Sequence, residues 1–125
     1  MIAEPASPLS WAQEGPSNSP VIIAIHGWAS NAQVWRELVK QLPEYGVLTL
    51  ELPGFGVTPC DNRLFNYNNF IGAVSNAVSL AKRQWPACNA RDFYLMGWSL
   101  GGQVAAEVAA RIPDVIAGLI TVASN

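Results

Sequence analysis

Residues 96–102 read MGWSLGG, with Ser99 set between Gly97 and Gly101. An apolar run, DFYLMG (92–97), leads into it and an alanine-rich run leads out. In the pattern G-x-S-x-G, a strand turning sharply into a helix lifts the serine hydroxyl clear of the sheet. Such a turn strains the serine backbone and crowds the residues two positions to either side. Gly97 and Gly101 relieve that crowding, and Gly102 lets the helix close on the sheet. The helix start also leaves unpaired backbone N–H groups that favour developing negative charge. The plainer alternative is a glycine-rich turn in which Ser99 only caps the helix. The flanking elements decide between the two.

Working outward, Val104, Ala105, Val108, Ala109 and Ile112 keep helical spacing up to Pro113, which closes that helix. VIIAI (21–25) is continuous, β-branched and followed by Gly27, as a strand buried on both faces reads. In SNAQVWRELVKQL, Val34, Leu38 and Leu42 repeat at helical spacing beside Trp35, with Ser30 or Asn31 as cap. YGVLTLELPGFG holds a strand near Val47–Leu50, stopped by Pro53 and Gly54. A polar loop runs to about Asn68. Phe70, Ile71, Val74, Ala77, Val78 and Ala81 mark a helix that must end by Pro86. VIAGLITVAS supplies a strand near Gly118–Val122.

Strands thus alternate with helices, which predicts βαβ units: an α/β, three-layer sandwich around a mostly parallel sheet. Strands are expected near 21–25, 46–50, 92–96 and 118–122, with 21–25 between the second and third. Residues 1–20, rich in Pro, Ser and Gly, read as a loop in which Leu9–Gln13 can form a short strand. Residues 21–125 read as the core.

Composition narrows the function. The chain has 125 residues, half of them hydrophobic and only 13% charged, against about 25% in a typical domain. So much apolar surface needs deep burial or cover from a larger body. A net charge of −2 leaves no basic footprint for nucleic acid. Cys60 and Cys88 form no CxxC pair and read as free thiols in a reducing compartment. The N-terminus has no signal-peptide pattern and no stretch is long and apolar enough to span a membrane. A cytoplasmic protein is expected, needing no cofactor or metal.

Two further motifs gather at the edge where Ser99 is expected. HGW (26–28) follows the first strong strand. An acyl-transfer site needs two N–H donors aimed at the developing oxyanion: one from the residue after the nucleophile, here Leu100, and one from this earlier loop, here Trp28. His26 is the only histidine in the chain. It could be a general base, but triad partners follow the serine in such a fold, so it is read as bracing the loop together with Gly27. LPGFG (52–56) supplies another loop at the same carboxyl edge, where ligands bind in parallel sheets.

HGW, LPGFG and GWSLGG, in this order and context, resemble the α/β-hydrolase superfamily from about residue 9 onward. More narrowly, HGWASNAQVWREL, LTLELPGFG, GWSLGGQVA and LITVAS look like the pimeloyl-acyl-carrier-protein methyl ester esterase family of biotin synthesis. That resemblance implies a serine esterase with Ser99 as nucleophile. It implies the N–H groups of Trp28 and Leu100 as oxyanion donors, with Trp28 also lining the substrate site. It implies an acyl-carrier-protein-linked or small ester as substrate and a monomer as the complete form. Glu51 departs from the aspartate usual before LPGFG, and Val57-Thr58 from the frequent Arg-Ser.

In this fold the acid and histidine come after the serine. Only 26 residues follow Ser99; they hold Glu107 and Asp114, neither at the expected loop, and no histidine. The expectation is therefore the N-terminal half of a hydrolase core, without its lid and last strands. Two alternatives stay open: another hydrolase chemistry (C–C bond, lactone or peptide-type), and a non-catalytic binding protein on the same fold.

Overall fold

In a computed structural model of the chain, which describes residues 9–16, 19–28, 30–52, 67–89 and 92–123, the VIIAI run is a strand buried at all five positions. It sits at the centre of a five-stranded sheet. Among the described residues the elements are β1 (Leu9–Gln13), β2 (Val21–Ile25), a 3-10 turn (Ala32–Trp35) running into α1 (Arg36–Lys40), β3 (Gly46–Leu50), α2 (Tyr67–Gln84), β4 (Phe93–Trp98), α3 (Leu100–Arg111) and β5 (Gly118–Val122). The sheet order is β1-β3-β2-β4-β5, parallel except for β1, which runs antiparallel to β3. The expected place of β2, between β3 and β4, is the observed one.

Strand alternation divides the core in two. Ile23 and Ile25 of β2, Leu48 and Leu50 of β3 and Leu95 of β4 face α2 and α3. Ile22, Ala24 and Met96 face the opposite way, against Trp35 and Val39. Because helices cover both faces, the strands read as unbroken apolar runs rather than as an apolar–polar alternation. Full burial of a side chain such as Ile23 contributes roughly 1.5–3 kcal/mol.

Two details differ from the sequence reading. The segment after β2 opens as a 3-10 turn, and α1 proper is only five residues long. The tighter turn shifts the helical phase. Ala32, Trp35 and Val39 are therefore buried, while Val34 and Leu38 of the apolar repeat stay exposed. Asn31, not Ser30, provides the cap: its Oδ1 accepts the Gln33 N–H at 2.8 Å. β5 is also far more open than β2, with Leu119, Ile120 and Val122 each at least 40% exposed. Cys88 is a free thiol; Cys60 lies outside the described residues. Among those residues no helix is long and apolar enough to cross a membrane.

α3 packs backbone to backbone on the end of β2. A methyl group placed on Gly101 would lie 2.3 Å from the His26 carbonyl oxygen and 2.4 Å from that of Ile25. Both are backbone atoms of a central strand and its exit, with no freedom to yield. Gly101→Ala is therefore expected to push α3 off the sheet and to cost upwards of about 3 kcal/mol, the upper end of ordinary overpacking. Urea unfolding of the two proteins measures the difference; a loss below about 1 kcal/mol would contradict the packing.

Candidate active site

β4 runs straight into α3 through Ser99, and the backbone there is unusual. Ser99 has φ 56° and ψ −118°. Only one other non-glycine residue among those described, Ala123, has a positive φ. Such a conformation costs of order 1–3 kcal/mol and persists only where its surroundings enforce it. Here the constraint comes from both sides. The Ser99 N–H donates to the Val122 carbonyl at 2.9 Å, tying the turn to the end of β5. The Ser99 carbonyl accepts from Gly102 and Gln103 N–H, at 2.9 and 3.2 Å, opening α3.

The glycines explain how so sharp a turn fits. A methyl group on Gly97 would meet the Gly101 carbonyl oxygen at 2.3 Å and the Gly102 nitrogen at 2.5 Å. The Ser99 side chain makes no capping bond to α3, so the reading of this serine as a mere helix cap fails. Leu100 is the first residue of α3, and its N–H has no partner within the helix.

The Gly27–Trp28 loop lies directly against this turn. A methyl group on Gly27 would sit 3.2 Å from Ser99 Cβ and 2.9 Å from the Trp98 carbonyl oxygen. The HGW and GWSLGG motifs, 70 or so residues apart in sequence, are thus in backbone contact across the β2–β4 pair. Leu52 is fully buried at the same edge; the rest of the LPGFG motif, with Val57 and Thr58, lies outside the described residues. Trp28, the next residue of this loop, is 59% exposed.

His26 is fully buried, and both of its ring nitrogens are engaged. Nε2 accepts the Leu52 N–H at 3.0 Å, so it carries the lone pair. The proton is then on Nδ1, which donates to the Gly27 carbonyl at 2.8 Å. The Ser30 N–H reaches the same carbonyl at 3.2 Å. In a trans peptide the C=O and the next N–H point in opposite directions, so holding the Gly27 carbonyl fixes the direction of the Trp28 N–H. Burial lowers the His26 pKa; the bond to Gly27 and the nearby Glu51 charge act the other way but are smaller causes. A neutral ring whose lone pair is occupied by a backbone N–H has none to offer a serine hydroxyl. His26 is thus placed to brace this loop.

Glu107 pairs with Arg111 on the exposed side of α3 at 3.0 Å, and Asp114 lies in the 3-10 turn that follows. Neither is brought to the serine. Among the described residues no three His, Cys, Asp or Glu side chains gather as a metal site requires. The open apolar groove of about 420 Å³ lined by Leu38, Leu42, Tyr94, Met96 and Ile120 lies on the α1 face of the sheet, not at the edge that carries Ser99. Sequence reasoning passed over Glu51 as a site residue. It is 96% buried at the end of β3, and the available signal was a charged residue closing an otherwise apolar strand.

Because the folded state holds His26 neutral below its ordinary pKa, the unfolded chain binds the extra proton as pH falls. Stability from this group is complete above about pH 6.5 and is lost below it, by about 1.4 kcal/mol per pH unit until the folded-state pKa is reached. Denaturant unfolding at pH 7, 6 and 5 should show stability falling with pH more steeply in the parent than in His26→Gln. Equal slopes would mean that His26 protonates freely in the fold.

A profile of the alpha/beta hydrolase fold matches residues 20–125. The pimeloyl-acyl-carrier-protein methyl ester esterase of Pectobacterium carotovorum subsp. carotovorum (strain PC1) is 34% identical over 118 residues, covering 94% of this chain and 41% of that protein. A protein of the same name from Shewanella sp. (strain MR-7) is 40% identical over 106 residues, covering 85% of this chain and 35% of its own length. Among solved structures, a thioesterase domain from the curacin biosynthetic pathway matches with a TM-score of 0.75 at 22% identity, over 90% of this chain and 40% of that one, a likeness of fold. The chain spans about two fifths of the length of the curated relatives it matches. A match that runs from the start of β2 through β5, over a sheet with a strained serine at its β4–α3 junction, establishes that the chain belongs to the alpha/beta hydrolase fold family.

Proposed function

We propose that the whole protein is a serine hydrolase of carboxylic esters, with Ser99 as nucleophile. The observation that carries this reading is the strained Ser99 backbone packed against Gly27. Two backbone N–H groups, those of Trp28 and Leu100, then flank the serine as oxyanion donors. In the reaction the Ser99 oxygen bonds to the ester carbonyl carbon and its proton passes to a base. The carbonyl electron pair moves onto oxygen, where the two N–H groups stabilise it. Collapse of this intermediate expels the alcohol, which takes up the proton. Water then attacks the acyl-serine by the same steps and releases the acid. Since His26, the chain's single histidine, is committed to the loop, the base comes from elsewhere in the whole protein.

For the substrate we infer a methyl ester of a pimeloyl chain on acyl-carrier protein. The names of the relatives at 34% and 40% identity support this, and exposed Trp28, next to the Gly27 that packs on the serine turn, offers an apolar surface for an acyl chain. The acyl-carrier protein would approach from the carboxyl edge of the sheet.

Ser99→Ala in the whole protein is expected to cut ester hydrolysis by roughly 10⁶-fold, measured as methanol release from the pimeloyl methyl ester. Near-parental turnover by the folded variant would refute Ser99 as nucleophile. Turnover of short-chain esters or lactones but not of the pimeloyl ester would retain the serine and reject the substrate. The 125-residue chain alone should show no triad-level turnover of a p-nitrophenyl ester, because a serine hydroxyl is a weak nucleophile without an adjacent base. Rapid turnover by the chain alone, dependent on both Ser99 and His26, would show that His26 serves as the base.

A further inference from the structure

Two of the ties that hold the loop carrying Trp28 come from the two residues after β3. At its start, the Leu52 N–H holds His26 Nε2, and His26 in turn holds the Gly27 carbonyl. At its end, the buried Glu51 carboxylate accepts the Ala32 N–H through Oε2 at 3.2 Å. Ala32 opens the 3-10 turn, so the carboxylate receives the first N–H of that turn. Asn31 caps the next N–H, that of Gln33. Loss of the Glu51 acceptor would remove one tie of the loop, at Ala32, and leave more of the burden of orienting the Gly27–Trp28 peptide on the His26 and Ser30 bonds to the Gly27 carbonyl.

We propose that Glu51 is a positioning residue for the oxyanion donor of Trp28, acting through its bond to the Ala32 N–H. The proposal rests on the reading of the whole protein as a serine ester hydrolase. In this role Glu51 acts through the loop backbone rather than on the reacting atoms. What the loop uses is the acceptor oxygen at Ala32, not the charge. A donor displaced by about 1 Å can lower turnover 10²-fold, while ground-state binding of the acyl chain is little affected.

The test uses the whole protein with Glu51→Ala and Glu51→Gln. Glu51→Ala should speed amide exchange at Ala32 by tenfold or more. It should lower kcat for a simple methyl ester ten- to a hundredfold, with KM within about twofold. Glu51→Gln keeps an acceptor oxygen and drops the charge, so it should restore both kcat and slow exchange to within about threefold of the parent. Melting temperatures of all three proteins keep loss of folding separate from loss of turnover. Unchanged Ala32 exchange in Glu51→Ala, or faster exchange with unchanged kcat, overturns the proposal. So does Glu51→Gln as impaired as Glu51→Ala, which would assign the effect to charge. A parent that hydrolyses no ester would instead overturn the hydrolase reading, and this proposal with it.

Discussion

Contact between the backbones of α3 and β2 governs the rest of this edge of the sheet. A side chain of any size at position 101 would separate the helix from the carbonyls of Ile25 and His26. Only when that gap closes can Ser99 be forced into its left-handed conformation, and only then does the exit of β2 come to lie against it. The strain at Ser99 is thus not a local accident. It is imposed by hydrogen bonds to β5 on one side and to the first turn of α3 on the other, and the energy comes from the apolar packing of α2 and α3 on the sheet.

The hydrogen-bond accounting at the strand ends shows how a parallel sheet builds a site beyond its last rungs. Each strand leaves polar groups at its carboxyl end that no neighbour in the ladder satisfies, and buried groups of this kind must find partners. Here they find each other. The Leu52 N–H goes to His26, the His26 proton to Gly27, and the Ala32 N–H to the Glu51 carboxylate. A histidine suits the middle of this chain because its neutral ring accepts at one nitrogen and donates at the other.

Much of this was legible in the sequence, for physical reasons. GWSLGG is informative because the turn tolerates few alternatives at Gly97 and Gly101, so steric necessity writes itself into residue identity. VIIAI is informative because burial on both faces excludes polar residues. The phase of the segment after β2 was not legible: Val34, Leu38 and Leu42 fit a helix as well as Ala32, Trp35 and Val39 do, and the 3-10 start that chooses between them depends on the Asn31 and Glu51 contacts. The partners of His26 were hidden because both are backbone groups, which carry no sequence signal. Glu51 was visible only as an oddity, a charge after an apolar strand, whose purpose depends on a residue 19 positions earlier.

The conformation of Ser99 also bears on how such a protein changes over generations. A glycine at that position would adopt the same angles with little strain, so the fold would gain stability by giving up the hydroxyl. If Ser99 is the nucleophile proposed above, function and stability pull in opposite directions at this one residue. A lineage released from the need for the reaction would be expected to lose the serine early, with its sheet and helices intact. On that reading, a serine retained in such a costly backbone records selection for chemistry rather than for folding.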